Sequence, residues 1–173
     1  MELTLLRHAA PSITYQQRYI GHTDISIDNT LFEHNKIEHL LHQKFDRIYS
    51  SDLKRCIQTL ETMGITAFTP DVRLREVRFK PFIEGKSFAE IEIMNDFNPA
   101  ALASKESWHH FVCDEPILSF RTRVESFLND ISDHERILIC AHGGTIAMIL
   151  SLIDPTLPDR HLEYLDTIAI SLG

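Results

Sequence analysis

The sequence predicts an α/β fold built around a mostly parallel sheet. Strand-like segments recur along the chain, and each is followed by a stretch of helical periodicity, the rhythm of strand–helix–strand units. The 173 residues, 43% of them apolar, suit one domain with a substantial core. No internal repeat or low-complexity tract divides them.

The first strand is read at Leu3 to Leu6, an apolar run that stops at Arg7-His8. From Thr30 to Gln43, Leu31, Ile37, Leu40 and Leu41 recur at helical spacing. Asp46 to Ser50 reads as a second strand. A helix from Asp52 to Met63 follows, with Leu53, Cys56, Ile57 and Leu60 on one side and Gly64 as its stop. Phe120 to Ile131 is an amphipathic helix carrying Val124, Phe127 and Leu128. It leads into Arg136 to Ala141, the clearest strand of the chain. Gly143-Gly144 then opens an apolar helix to about Leu152, which Asp154-Pro155 ends, and Thr167 to Leu172 is a last strand. Residues 71–119 contain Pro81, Pro99 and Pro116 and show little periodicity beyond a short helix near Ser87 to Met94. They are expected to be an insertion covering the active site of a single domain spanning 1–173.

The formal net charge of −8 argues against nucleic acid or an anionic membrane surface as partner, because both bind clustered excess cations. A small phosphorylated substrate needs only a local group of donors. No apolar stretch reaches the 18 or so residues of a membrane span. Glu2 and Arg7-His8 interrupt any signal-peptide pattern, so a cytoplasmic location is expected. Cys56, Cys113 and Cys140 have no metal-like spacing and are expected to be buried thiols. His34, His39, His42 and His109-His110 lack a ligand motif with a supporting carboxylate, so no metal or cofactor is expected.

Three strand ends carry chemistry: Arg7-His8, Ser50-Ser51 and His142-Gly143-Gly144. In open parallel sheets the carboxyl ends share one edge, where ligands bind beside the first turns of the following helices. Arg55, one turn into the helix after the second strand, can reach back over that edge, and its fork suits phosphate geometry.

Four blocks in order resemble the histidine phosphatase superfamily, the phosphoglycerate mutase-like branch 1. They are Leu6-Arg7-His8 with Gly21-His22-Thr23-Asp24; Ser50 to Thr59, a Ser-x-x-x-Arg-x-x-Gln-Thr segment; Leu74-Arg75-Glu76-Val77-Arg78-Phe79; and Ala141-His142-Gly143-Gly144. The resemblance implies a three-layer α/β/α sandwich. It implies His8 as the nucleophile that becomes phosphohistidine, Arg7, Arg55 and His142 around the phosphate oxygens, and Glu76 as proton donor. Gly143-Gly144 can add N–H groups at a helix N-terminus. His22 and Thr23, after Gly21, either contact the substrate or pack a turn; Glu84, Ser12 and Thr14 are lesser candidates.

The implied activity is phosphomonoester hydrolysis of a small metabolite. Within the family the chain looks most like the α-ribazole phosphatase type, which makes α-ribazole phosphate the first substrate to consider. Phosphoglycerate mutase-type phosphotransfer and a non-catalytic phospho-ligand module are the alternatives, and a homodimer is left open. The chain departs from the family at Ala9-Ala10-Pro11, where Gly and polar residues are usual. Ala9 would crowd the phosphate if its backbone needed a positive φ.

Overall fold

A computed structural model of the protein describes residues 1–131, 135–156 and 161–172. Its centre is a five-stranded sheet in the order β3-β2-β4-β1-β5. The strands are β1 (Glu2–Arg7), β2 (Arg47–Ser51), β3 (Thr69–Asp71), β4 (Arg136–Ala141) and β5 (Thr167–Ser171). β3, β2, β4 and β1 are mutually parallel, and β5 runs antiparallel to β1.

Alternation along the central strands builds two cores. Leu3 and Leu5 of β1 and Ile137, Ile139 and Ala141 of β4 face α5 (Ile117–Asp130) and α6 (Gly143–Ile153), meeting Val124, Phe127, Ile146 and Ile149. Leu6, Leu138 and Cys140 face the other side, where α1 (His34–Leu41) and α2 (Lys54–Thr62) bring Ile37, Leu40, Cys56 and Leu60. The result is the three-layer α/β/α sandwich the resemblance implies. Among the described residues no helix is long and apolar enough to cross a membrane.

α2 ends where the sequence places its stop: Gly64 has φ 79°, and the Ile65 N–H donates to Leu60 O at 2.9 Å. α1 begins later than its periodicity suggests. Asn29–Leu31 forms a 3₁₀ turn, leaving Leu31 exposed and burying Phe32 instead. α3 (Phe88–Glu92) starts at a Ser87–Glu90 capping box, within the expected Ser87 to Met94. Two elements escape the sequence reading. β3 is three residues long with Pro70 in an edge strand, and α4 (Lys105–Val112) lies in the weakly patterned 71–119 stretch.

Register aligns the strand ends. Arg7 pairs with Ala141 and Ser50 with Cys140, so Ser51 is level with Arg7 and Ala141, and His8 and His142 emerge side by side one residue further on.

Candidate active site

His8 follows β1 and is 6% exposed. Its Nδ1 lies 2.8 Å from its neighbour's carbonyl, Ala9 O, so Nδ1 carries the hydrogen and Nε2 keeps its lone pair. Burial, reinforced by the guanidinium groups of Arg55 and Arg7, holds the imidazole pKa well below its ordinary value. A neutral ring with a free Nε2 is the form that can attack phosphorus. Ala9 is accommodated without strain: Gln17 and Leu165 are the non-glycine residues with positive φ among those described, so the crowding expected at Ala9 does not arise. Its N–H donates to Thr59 Oγ1 at 2.8 Å, which ties the nucleophile's backbone to α2.

Arg55 is 1% exposed, and its guanidinium is held by the segment before α1. It donates to Gly21 O at 2.7 Å and Thr23 O at 3.0 Å, while its Nε–H donates to His142 Nδ1 at 3.1 Å. A guanidinium has no lone pair to offer, so His142 Nδ1 must be the acceptor and Nε2 carries the hydrogen. That Nε2–H donates to Ser51 Oγ at 2.8 Å. His142 is 1% exposed, and burial, with Arg55 beside it, pushes its pKa well below the ordinary value. The resemblance implies His142 among the groups around the phosphate oxygens. In the structure it is neutral, with both nitrogens engaged, and it lies behind the cavity lining.

Arg7 lies along the rim under the ring of Tyr164, with Cζ 4.3 Å from the ring centroid. Its Nη1 donates to Leu162 O, and its Nε is buried with no partner among the described residues. Glu76 stands across the cavity at the N-terminus of α6. One carboxylate oxygen accepts the Gly144 N–H at 2.8 Å and the other its neighbour Val77's N–H at 2.9 Å. A Cβ on Gly144 would sit 2.4 Å from Glu76 Oε1, so this approach requires glycine. The Gly144 N–H expected on phosphate is therefore spent on the acid.

A cavity of about 270 Å³ joins these groups, lined by Arg7, His8, Arg55, Glu76, Gly143 and Gly144 at one end. Of the two readings given for Gly21, His22 and Thr23, the geometry matches the packed turn: they do not line the cavity, whereas Ile20 and Ile25 on either side of them do. Gly21 and Thr23 turn their carbonyls to Arg55, and His22 Nε2 lies 2.9 Å from Glu76 O. Glu84 holds this loop, accepting the Gly21 and Thr23 N–H groups at 2.9 and 3.2 Å. Ser12 and Thr14 bond each other at 3.2 Å outside the cavity. No group of three or more metal-ligating side chains is present among the described residues.

The sequence matches the histidine phosphatase superfamily (branch 1) over residues 3–171. The chain belongs to this superfamily. A Hydrogenobacter thermophilus protein provisionally named phosphoserine phosphatase 2 is 32% identical over 159 residues, covering 87% of this chain and 77% of its own. The adenosylcobalamin/alpha-ribazole phosphatase of Salmonella typhi is 25% identical over 158 residues, covering 87% and 78%. The crystal structure of the alpha-ribazole phosphatase from Shigella flexneri superimposes with TM-score 0.77 at 22% identity, covering 100% of this chain and 91% of that one. This histidine phosphatase brings one region to its rim that the sequence reading left out. Tyr164 and His161, from the segment before β5, line the cavity, and Tyr164 lies 5.6 Å from the His8 ring.

Proposed function

We propose that this histidine phosphatase hydrolyses phosphomonoesters through a phosphohistidine on His8. Nε2 attacks phosphorus in line, the ester oxygen leaves with the proton of Glu76, and water activated by the same carboxylate then releases phosphate. Arg7 and Arg55 stabilise the charge that develops on the equatorial oxygens, which is most of what phosphoryl transfer needs. His142 acts from behind, aiming Arg55. The observation that carries the reading is the buried Nε–H of Arg7, unpartnered among the described residues, on the rim beside a neutral His8. Leaving such a donor unpaired costs about 1–3 kcal/mol, and a phosphate oxygen would satisfy it.

The substrate is a small phosphorylated metabolite, and α-ribazole phosphate is the first to test, because a relative is named for it. Mutase-type transfer must hold a second phosphate. The lining offers poor support for one: Arg18 is ion-paired to Glu90, and His161 lies 3.5 Å from Glu163. Residues 71–119 supply Glu76 and Phe79 to the cavity, which supports their role as its cover. The three free, buried cysteines support a reducing, cytoplasmic setting.

Rapid quench with labelled phosphomonoester is expected to trap an acid-labile adduct that His8→Ala abolishes. Turnover in the parent without any adduct would replace the covalent route with direct attack by water.

A further inference from the structure

We propose that the leaving-group side of the cavity selects phosphomonoesters of uncharged alcohols that carry an aromatic ring, with Tyr164 as a specificity-determining residue. The proposal rests on the reading of His8 and its clamp as a phosphomonoesterase site. Beyond the phosphate end, Arg18 and His161 line the cavity beside an apolar and aromatic set, Pro11, Tyr15, Tyr19, Phe79 and Tyr164.

Three of these rings, Tyr19, Phe79 and Tyr164, are held in place. Tyr19 and Phe79 meet edge to face, with centroids 5.3 Å apart and planes at 87°, and Trp108 of α4 backs Tyr19 at 6.0 Å. Tyr164 is fixed from below by the Arg7 guanidinium at 4.3 Å. The wall therefore begins at the phosphate clamp itself. A planar group one or two bonds beyond the ester oxygen would meet an ordered aromatic surface.

Charge points the same way. Phosphoserine and phosphoglycerates carry a carboxylate close to the phosphate, and binding it requires donors not already committed. Arg18 Nη1 donates to Glu90 Oε2 at 2.5 Å and to Gly85 O at 2.8 Å. His161 faces Glu163. Among the described lining residues, Arg7 and Arg55 are the cations without a carboxylate partner, and both are assigned to phosphate. The cavity, about 270 Å³, lies just below the roughly 300–1,000 Å³ of most ligand sites, so a phosphate and one ring system suit it better than a dinucleotide.

The test compares 2-phenylethyl phosphate with ethyl phosphate, whose alcohols are alike as leaving groups, and adds phosphoserine and 3-phosphoglycerate. We expect kcat/KM for the phenylethyl ester to exceed each of the other three by about fivefold or more, as aromatic contacts of this kind supply. Tyr164 touches Arg7, so its substitution affects all esters; the phenylethyl-to-ethyl ratio cancels that common loss. The ratio should fall toward one in Tyr164→Leu, survive in Tyr164→Phe, and fall in Tyr15→Ala, where the clamp is not touched. A parent ratio well below fivefold, phosphoserine as the better substrate, or a ratio indifferent to both Tyr164→Leu and Tyr15→Ala would overturn the substrate class and leave the phosphomonoesterase reading standing. Turnover of none of the four esters, with no phosphohistidine trapped from nitrophenyl phosphate, would overturn both.

Discussion

The two ends of the cavity are built on opposite terms. At the phosphate end, His8, Arg55 and His142 are 6%, 1% and 1% exposed, and nearly every polar atom there is bonded to another protein group. At the leaving-group end, Tyr15 is 41% exposed, and the rings are held by packing and one cation–π contact. The first arrangement fixes donors to within a narrow geometry before substrate arrives, which is how electrostatic preorganisation lowers a barrier. The second offers surface, which sorts alcohols. Substitutions at the phosphate end should therefore lower turnover of every ester alike. Substitutions in the wall should change the ranking of esters.

Glu76 stands between the two ends and should give the largest contrast. Glu76→Gln is expected to slow ethyl phosphate by about 10²–10⁴, the usual worth of a positioned acid, while nitrophenyl phosphate, whose leaving group needs no proton, loses little. Equal losses on both esters would move the acid elsewhere. Arg55→Lys comes next. A point charge cannot serve Gly21 O, Thr23 O, His142 Nδ1 and phosphate together, so kcat/KM should fall about 10²–10³ on all esters with their ranking intact. A changed ranking would mean that Arg55 contacts the alcohol. Gly144→Ala should be milder: Cβ meets Glu76 Oε1, the acid must shift, and about 1–3 kcal/mol of stability is lost in a melting experiment together with part of the ethyl phosphate activity. Unchanged melting and unchanged ethyl phosphate turnover would show that α6 yields without moving the carboxylate.

The same contrast explains what the sequence made legible. His8, Arg55 and His142 sit at fixed offsets from strands and a helix whose apolar patterns are strong, so periodicity alone brings them to one edge. The family blocks select them again. Tyr164 was hidden by strand direction. Parallel strands bring their carboxyl ends to the site, but β5 is antiparallel to β1 and brings its amino end, so the residues before it reach the rim. Nothing in a five-residue apolar strand announces its direction. Gly21, His22 and Thr23 were legible as a motif but not in how they act, because a backbone carbonyl that accepts from Arg55 leaves no mark on side-chain identity. Tyr15, Tyr19 and Phe79 come from irregular segments, where aromatic residues follow no period.

The smallest predicted effect concerns protons at the buried end. His8 and His142 are neutral because burial disfavours the imidazolium and the guanidinium groups of Arg55 and Arg7 add to that. In the unfolded chain both titrate near 6.5. Between their lowered folded values and about 6.5, the unfolded state binds protons that the folded state refuses, so stability falls as pH drops through this window. The slope is at most about 1.4 kcal/mol per pH unit for each histidine. His142 has a further restraint: an Nδ1–H would face the Arg55 Nε–H, so protonation must break that bond. Bound phosphate offsets the cationic field on both rings and offers His8 Nε2, which lines the cavity, an acceptor. The melting temperature should therefore decline between pH 7 and pH 5 in a non-coordinating buffer and decline less in inorganic phosphate. A decline equally steep with and without phosphate would uncouple the two histidines from the anion, and the buried end would then be a structural network beside the site.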